Sequence, residues 1–302
     1  MINIAILGTG QFALSIGFLL ERNIDTLTFF GRNIDQLTEL KNKKKNSKYS
    51  NYIYNCNIET YLLSEQEQLY KFDLLFYCLP TACINIINNK ALPIVFTCKG
   101  FNDDFIFNKF TNYAILAGGS YASEILNNIP CYITIATKND QIKLFCKDFL
   151  YSKNCFISFS NQPESIELLG IFKNIIAIFC GIINELNMGK NIEAMFISKI
   201  LKNLNKIIEF NEASLIEPAG IGDLFLTCSS KQSRNYSFGK HLIQNKNTNF
   251  HYLVEGYLSL KNINKYKNYN LINDLNNIIY FITNNNTNES IAEFIASFMQ
   301  NL

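Results

Sequence analysis

Only two histidines, His241 and His251, stand in this chain of 302 residues, and its nine cysteines form no C-x-x-C pair. Neither residue type supports a zinc site, so no metal is expected. Cysteines scattered in this way are expected to be free thiols in a reducing compartment, which makes a cytoplasmic location the expectation. An excess of charge is also lacking, because 27 Lys and Arg oppose 25 Asp and Glu for a formal net charge of +2. That balance argues against nucleic-acid or membrane-surface binding through bulk electrostatics, and any anion recognition must be local. The basic flank and cleavage site of a signal peptide are missing too, since Met1 to Leu7 leads straight into a glycine turn. The longest apolar stretch, Ile171 to Ile183, includes Lys173 and Asn174. It falls short of the ~20 residues of a membrane span, reads as a buried helix, and predicts no membrane insertion.

What is present is enough apolar material, 48% of residues, for one large core or two moderate ones. From Ile2 to about Ser160, short apolar runs alternate with helix-like segments, the pattern of a parallel sheet covered on both faces. Strands are predicted at Asn3–Leu7, Thr26–Phe30, Leu74–Cys78, Ile94–Phe96, Ala114–Leu116 and Tyr132–Ala136. Beyond about Pro163 apolar residues recur at helical spacing through Ile166–Leu186 and Ile192–Ile208, and again near the C-terminus. The expectation is a dinucleotide-binding domain over residues 1–162 and an all-helical substrate-binding and catalytic domain over 163–302.

Gly8-Thr9-Gly10-Gln11-Phe12-Ala13 follows the first strand and opens an apolar-patterned helix. This is the context that the G-x-G-x-x-G/A motif requires, and it makes the α/β domain Rossmann-like and doubly wound. Gly8 permits the tight turn, Gly10 lets backbone approach a pyrophosphate, Ala13 allows close helix packing, and the helix N-terminus receives the anion. The second strand ends in Phe30-Gly31-Arg32-Asn33, without the acidic residue usual for NAD. Arg32 can pair with a 2′-phosphate or lie over the adenine, which favours NADP, or it is a solvated arginine near a helix cap.

Further segments carry chemistry. Thr97-Cys98-Lys99-Gly100-Phe101 places a lysine at a strand's carboxyl end, where ligands bind in doubly wound sheets and where solvated charges are also common. Gly118-Gly119-Ser120-Tyr121-Ala122-Ser123-Glu124 reads as a turn presenting amides and a hydroxyl to a polar ligand, or as a serine N-cap. In Glu167-Leu168-Leu169-Gly170-Ile171-Phe172-Lys173-Asn174-Ile175-Ile176-Ala177, the ammonium of Lys173 sits among apolar neighbours. It must face an opposite charge or a polar cavity, for structural or functional reasons. Gly220-Ile221-Gly222-Asp223-Leu224-Phe225-Leu226-Thr227-Cys228 sets a carboxylate beside glycines, and Ser233-Arg234-Asn235-Tyr236 leads to Phe238-Gly239. The latter can start a helix whose amides, hydroxyl and guanidinium converge on a phosphate, or can be a plain cap with Arg234 exposed. The last such segment is Leu253-Val254-Glu255-Gly256-Tyr257.

In order, and across nearly the whole chain, these segments resemble elements of the bacterial-type NAD(P)-dependent glycerol-3-phosphate dehydrogenases: S-K-G, G-P-S-F-A-x-E, E-L-x-G-x-x-K-N-x-x-A, G-x-G-D-L-x-x-T-C, S-R-N-x-x-F-G and V-V-E-G-Y. Gly119 replaces the usual proline and Leu253 a valine. The family chain is also longer, with the difference falling after Gly256. The resemblance implies reduction of dihydroxyacetone phosphate to sn-glycerol 3-phosphate by hydride transfer, a product for phospholipid synthesis, and NADP or NAD as cofactor. It implies Lys173 as proton donor and acceptor, held by Asp223. Substrate contacts are implied for Lys99, Gly118, Ser120, Lys173, Asp223, Ser233, Arg234 and Asn235. Cofactor contacts are implied for Gly8, Gly10, Gln11, Phe12, Ala13, Arg32, Lys99, Ala122, Arg234, Leu253 and Glu255. The expected partner is a small molecule, with room for a homodimer. Two alternatives stand beside this reading: another β-hydroxyacid dehydrogenase, and a non-catalytic dinucleotide-binding sensor.

Overall fold

A computed structural model describes residues 2–87, 91–101, 103–207, 211–266 and 269–302. Two compact units emerge, one of Met1–Cys98 with Ile106–Ile166 and the other of Lys99–Phe105 with Glu167–Leu302. The segment Lys99–Phe105, which the sequence reading placed in the first domain, packs with the helical unit. Its backbone is tied there: Phe101 N donates to Ser259 Oγ at 2.9 Å, and Asn174 Nδ2 donates to Lys99 O at 3.0 Å.

The first unit is built on strands β1 (Ile4–Leu7), β2 (Thr26–Gly31), β3 (Asn57–Leu62), β4 (Leu74–Tyr77), β5 (Ile94–Phe96), β6 (Tyr113–Ala117), β7 (Cys131–Ala136) and β8 (Cys155–Ser160). They form one sheet in the order β3-β2-β1-β4-β5-β6-β7-β8. Neighbours are parallel except β6 and β7. The chain leaves β1 toward β2 on one side and returns to β4 on the other, which makes the carboxyl ends of β1 and β4 a topological switch point. Leu7, the last residue of β1, pairs with both Phe30 and Tyr77. Strands β1, β4, β5 and β6 are buried along their whole length. Such strands read as continuous apolar runs, and all four are where the sequence placed them to within a residue at either end.

Two strands, β3 and β8, were not anticipated. They are the two edges of the sheet. Their sequences, NIETYL and CFISFS, mix exposed and half-buried positions instead of forming an apolar run. An edge strand has one neighbour and one half-open face, so its apolar signal is diluted.

Helices α1 (Gln11–Leu20), α2 (Ile34–Lys43), α3 (Ile106–Lys109), α4 (Ala122–Leu126) and α5 (Asp140–Leu150) accompany the sheet. The Asn33 side chain accepts from Gln36 N and starts α2, which ends on Lys44 in the left-handed region with Lys41 and Lys43 in the last turn. Asn139 starts α5 in the same way, accepting from Gln141 N and Ile142 N.

The second unit holds most of α6 (Pro163–Glu185), with α7 (Lys190–Ile207), α8 (Asp223–Ser229), α9 (Arg234–Asn245), α10 (Glu255–Tyr266), α11 (Asn270–Thr283) and α12 (Asn288–Asn301). Ile208, the expected end of the second long helix, lies outside the described residues. Helix α6 is longer than the apolar stretch that announced it. At 23 residues it has the length and hydropathy to cross a bilayer, yet its apolar window is wholly buried inside the protein. It is the core helix around which the unit packs. Helix α11 buries Leu271, Ile272, Leu275, Ile278, Ile279 and Ile282, the spacing of a single apolar face.

Candidate active site

The glycine turn of the first unit joins β1 to α1. Gly8 has φ +124, open to glycine and strained for other residues, and an added Cβ would lie 3.0 Å from Cys78 O. Its N–H donates to Phe30 O at 2.7 Å, fastening the turn to the end of β2. Gly10 is the N-cap of α1, no side chain caps the helix, and its first turn carries no acidic residue. A Cβ on Gly10 would meet nothing within 4 Å. Gln11 and Phe12 begin the helix half-buried, and Ala13 is buried. A helix start that is open, uncapped by any side chain and free of carboxylates has the donors and the dipole for an anion, and so fits the pyrophosphate of a dinucleotide. Arg32 follows β2 directly and is exposed beside the Asn33 cap.

In the segment after β6, Gly118 has φ +130. Ser120 Oγ donates back to Gly118 O at 3.3 Å. The N-cap of α4 is Tyr121, without a side-chain cap bond, so Ser120 is not the capping serine that the sequence also allowed. Ala122 is the first residue of that short helix.

The second unit brings Lys99, Lys173 and Asp223 together. Lys173 projects from α6 and is 5% exposed, while Asp223 is 2% exposed. Lys173 Nζ pairs with Asp223 Oδ1, and Lys99 Nζ meets Oδ2 at 3.2 Å. Lys173 also donates to Thr227 Oγ1 at 3.1 Å, and that hydroxyl donates to Asp223 O at 2.6 Å. Asp223 and Thr227 lie one turn apart on α8. A π-helical turn, Pro218–Gly222, runs directly into Asp223. Such wide turns are uncommon and recur at functional sites.

The electrostatics follow from this geometry. Burial pulls the Lys173 ammonium down to about 8, with the Asp223 carboxylate opposing the shift and the Lys99 charge adding to it. Burial by itself pushes Asp223 up, but the two ammonium groups and their hydrogen bonds outweigh it and hold the carboxyl below its usual range. Glu255, at the start of α10, is pushed up by burial, while the positive charges of Lys99, Arg234 and Lys173 oppose that shift. These five groups therefore share one electrostatic neighbourhood.

Ser233 caps α9, its Oγ accepting from Tyr236 N at 3.3 Å. Arg234, the first helical residue, is exposed, with its guanidinium 5.7 Å from the centroid of the Tyr252 ring. Asn235 is buried, and its Oδ1 accepts from Gly256 N at 3.0 Å, linking α9 to α10. Leu253 is exposed. Sequence reasoning named no role for Thr227 or Asn174. Thr227 stands four residues after Asp223, a spacing that places both on one helix face, so its part was readable. Asn174 reaches back to Lys99 O across 75 positions, and no local pattern announces that.

A parallel sheet with an open glycine turn, joined in sequence to a helical unit carrying a buried lysine–carboxylate pair, defines a class of dinucleotide-binding proteins with a helical second unit. Family comparison narrows this. Residues 3–143 match the NAD-dependent glycerol-3-phosphate dehydrogenase N-terminus, and residues 163–293 match the C-terminus of the same family. The chain is 30% identical over 259 residues to glycerol-3-phosphate dehydrogenase [NAD(P)+] of Ehrlichia chaffeensis, covering 78% of this chain and 79% of the relative. It is 26% identical to the enzyme of the same name from Neorickettsia sennetsu, covering 93% and 90% of the two chains. The fold is that of glycerol-3-phosphate dehydrogenase from Coxiella burnetii, with a TM-score of 0.80 at 23% identity over 97% of this chain and 98% of the other. The chain belongs to the NAD-dependent glycerol-3-phosphate dehydrogenase family. It is an NAD(P)-dependent oxidoreductase, and neither alternative reading of the sequence finds support.

Proposed function

We propose that this protein reduces dihydroxyacetone phosphate to sn-glycerol 3-phosphate and that the product supplies phospholipid synthesis. The observation that carries the residue roles is the buried Lys173–Asp223 pair with Lys99 on the second carboxylate oxygen. Bound NADPH or NADH supplies the hydride. Gly8, Gly10, Gln11, Phe12 and Ala13 hold the pyrophosphate end, and Arg32 favours the 2′-phosphate of NADPH. Lys173, mostly protonated at pH 7 with its amine at about 8, donates a proton to the carbonyl oxygen as negative charge grows there. In the reverse direction its neutral amine accepts the hydroxyl proton. Asp223 and Thr227 fix the direction of that amine, and Lys99 adds positive charge beside it. Arg234, with the N-terminal amides of α9 and Ser233, anchors the phosphate, so a non-reacting group positions the carbonyl.

Gly118, Ser120 and Asn235 join the substrate contacts in this reading, and Ala122, Leu253 and Glu255 the cofactor contacts. The cytoplasmic location belongs to the proposal too, supported by nine free cysteines. A homodimer is tested by light scattering. The deciding assay follows NADPH consumption with dihydroxyacetone phosphate, dihydroxyacetone and a β-keto acid. Turnover confined to the phosphorylated ketone supports the proposal, and turnover of the β-keto acid alone overturns it.

A further inference from the structure

Outside the residues discussed so far, a buried polar side chain from beyond α2 holds the cofactor turn. Asn46 is 1% exposed and lies beyond the end of α2. Its Nδ2 donates to Thr9 O at 2.9 Å and to Gln36 Oε1 at 3.3 Å. Gln36 Oε1 in turn accepts from Thr9 Oγ1 at 2.8 Å. The orientation of the amide is fixed by its neighbours, because two acceptors face its nitrogen and the reversed amide would set oxygen against oxygen. Asn46 Oδ1 is buried without a hydrogen-bond partner. An apolar side chain would spare that stranded oxygen but leave the buried Thr9 carbonyl without its donor, so the amide is kept for what its donor does.

The Thr9 carbonyl belongs to the same planar, trans peptide as the Gly10 N–H, and in such a unit the two point in opposite directions. Holding the carbonyl therefore sets the direction of the N–H at the N-cap of α1. We propose that Asn46 is a positioning residue for the dinucleotide pyrophosphate, fixing the Thr9–Gly10 peptide so that the Gly10 N–H faces the anion, with Gln36 bracing the same turn from α2. This rests on the reading of the Gly8–Ala13 turn as the cofactor site. The donor of Asn46 acts on a group common to NADH and NADPH, so its effect does not depend on the 2′-phosphate.

The test is fluorescence titration of purified full-length wild type, Asn46→Leu and Gln36→Leu with NADH and with NADPH, beside thermal melting and steady-state kinetics. Asn46→Leu is expected to raise the Kd of both dinucleotides by about tenfold and by the same factor, the worth of about one lost hydrogen bond at the turn. Its kcat at saturating cofactor and its KM for dihydroxyacetone phosphate stay within about twofold. Gln36→Leu, which leaves the Asn46–Thr9 bond in place, shifts both Kd values in the same direction by less. If Asn46→Leu fails to fold, Asn46→Asp, equal in shape but without the amide donor, is expected to weaken both at least as much. A folded variant with Kd values within about twofold of wild type overturns the assignment, as does a lower Tm with unchanged Kd. A wild type that binds neither dinucleotide overturns the cofactor site itself, a separate failure.

Discussion

Lys173 and Asp223, 5% and 2% exposed, form an ion pair withdrawn from solvent, in which burial lowers the lysine and the carboxylate holds it up. The proton on Lys173 is therefore labile near neutrality. In the proposed proton transfer ketone reduction uses the Lys173 ammonium, so kcat is expected to fall as pH rises through about 8, whereas alcohol oxidation uses the amine and is expected to rise over the same interval. The measurement is the pH profile of kcat in both directions. Profiles flat from pH 6 to 9 in both directions would remove Lys173 from the proton step.

Asp223→Asn takes away the charge that opposes the burial of Lys173. The lysine then titrates lower still, and the reductive limb is expected to move to lower pH, with turnover at pH 7 reduced. An unshifted limb would mean that the carboxylate does not control this lysine.

Arg234→Lys leaves one point charge where a planar guanidinium can grip two phosphate oxygens. The expected result is a loss of at least about tenfold in kcat/KM for dihydroxyacetone phosphate and little change for unphosphorylated dihydroxyacetone. Equal losses on both substrates would deny Arg234 the phosphate, and a sharp fall in Tm would make it a structural first-turn residue.

Arg32→Ala is expected to weaken NADPH about tenfold more than NADH, through loss of one charge-assisted contact. Equal losses for the two cofactors would point to stacking on the adenine.

Helices α6 and α9 cross at glycine: a Cβ on Gly239 would lie 1.9 Å from Ile178 O, and one on Gly181 would lie 2.1 Å from Tyr236 O. Backbone, not a flexible side chain, would have to yield. Gly239→Ala is expected to cost about 1–3 kcal/mol of stability, toward the upper end, read as a lower Tm. An unchanged Tm would show that the crossing opens at no cost.

The sheet interior and the long α6 were legible because full burial writes itself as an apolar run, as in Ile4–Leu7 and Leu74–Tyr77. The edge strands β3 and β8 were not, because most of their positions are exposed or half-buried. In the site, motif spacing singled out Lys99, Lys173 and Asp223, but the bond between Lys99 and Asp223 spans 124 positions and is a product of tertiary packing. Asn46 was invisible for the same reason, since its partner Thr9 lies 37 residues away and an asparagine after a basic helix end resembles any turn residue.

The most direct measurement is the stoichiometry of wild type and Lys173→Ala with dihydroxyacetone phosphate and NADPH, beside cofactor titration of both proteins. Wild type is expected to form one sn-glycerol 3-phosphate per NADPH consumed. The variant should lose about 10²–10⁴-fold or more in kcat and still bind NADPH within a few-fold, because Lys173 and the Gly8–Ala13 turn belong to different units. Wild-type turnover in Lys173→Ala, or no product from dihydroxyacetone phosphate in the wild type, would contradict the account.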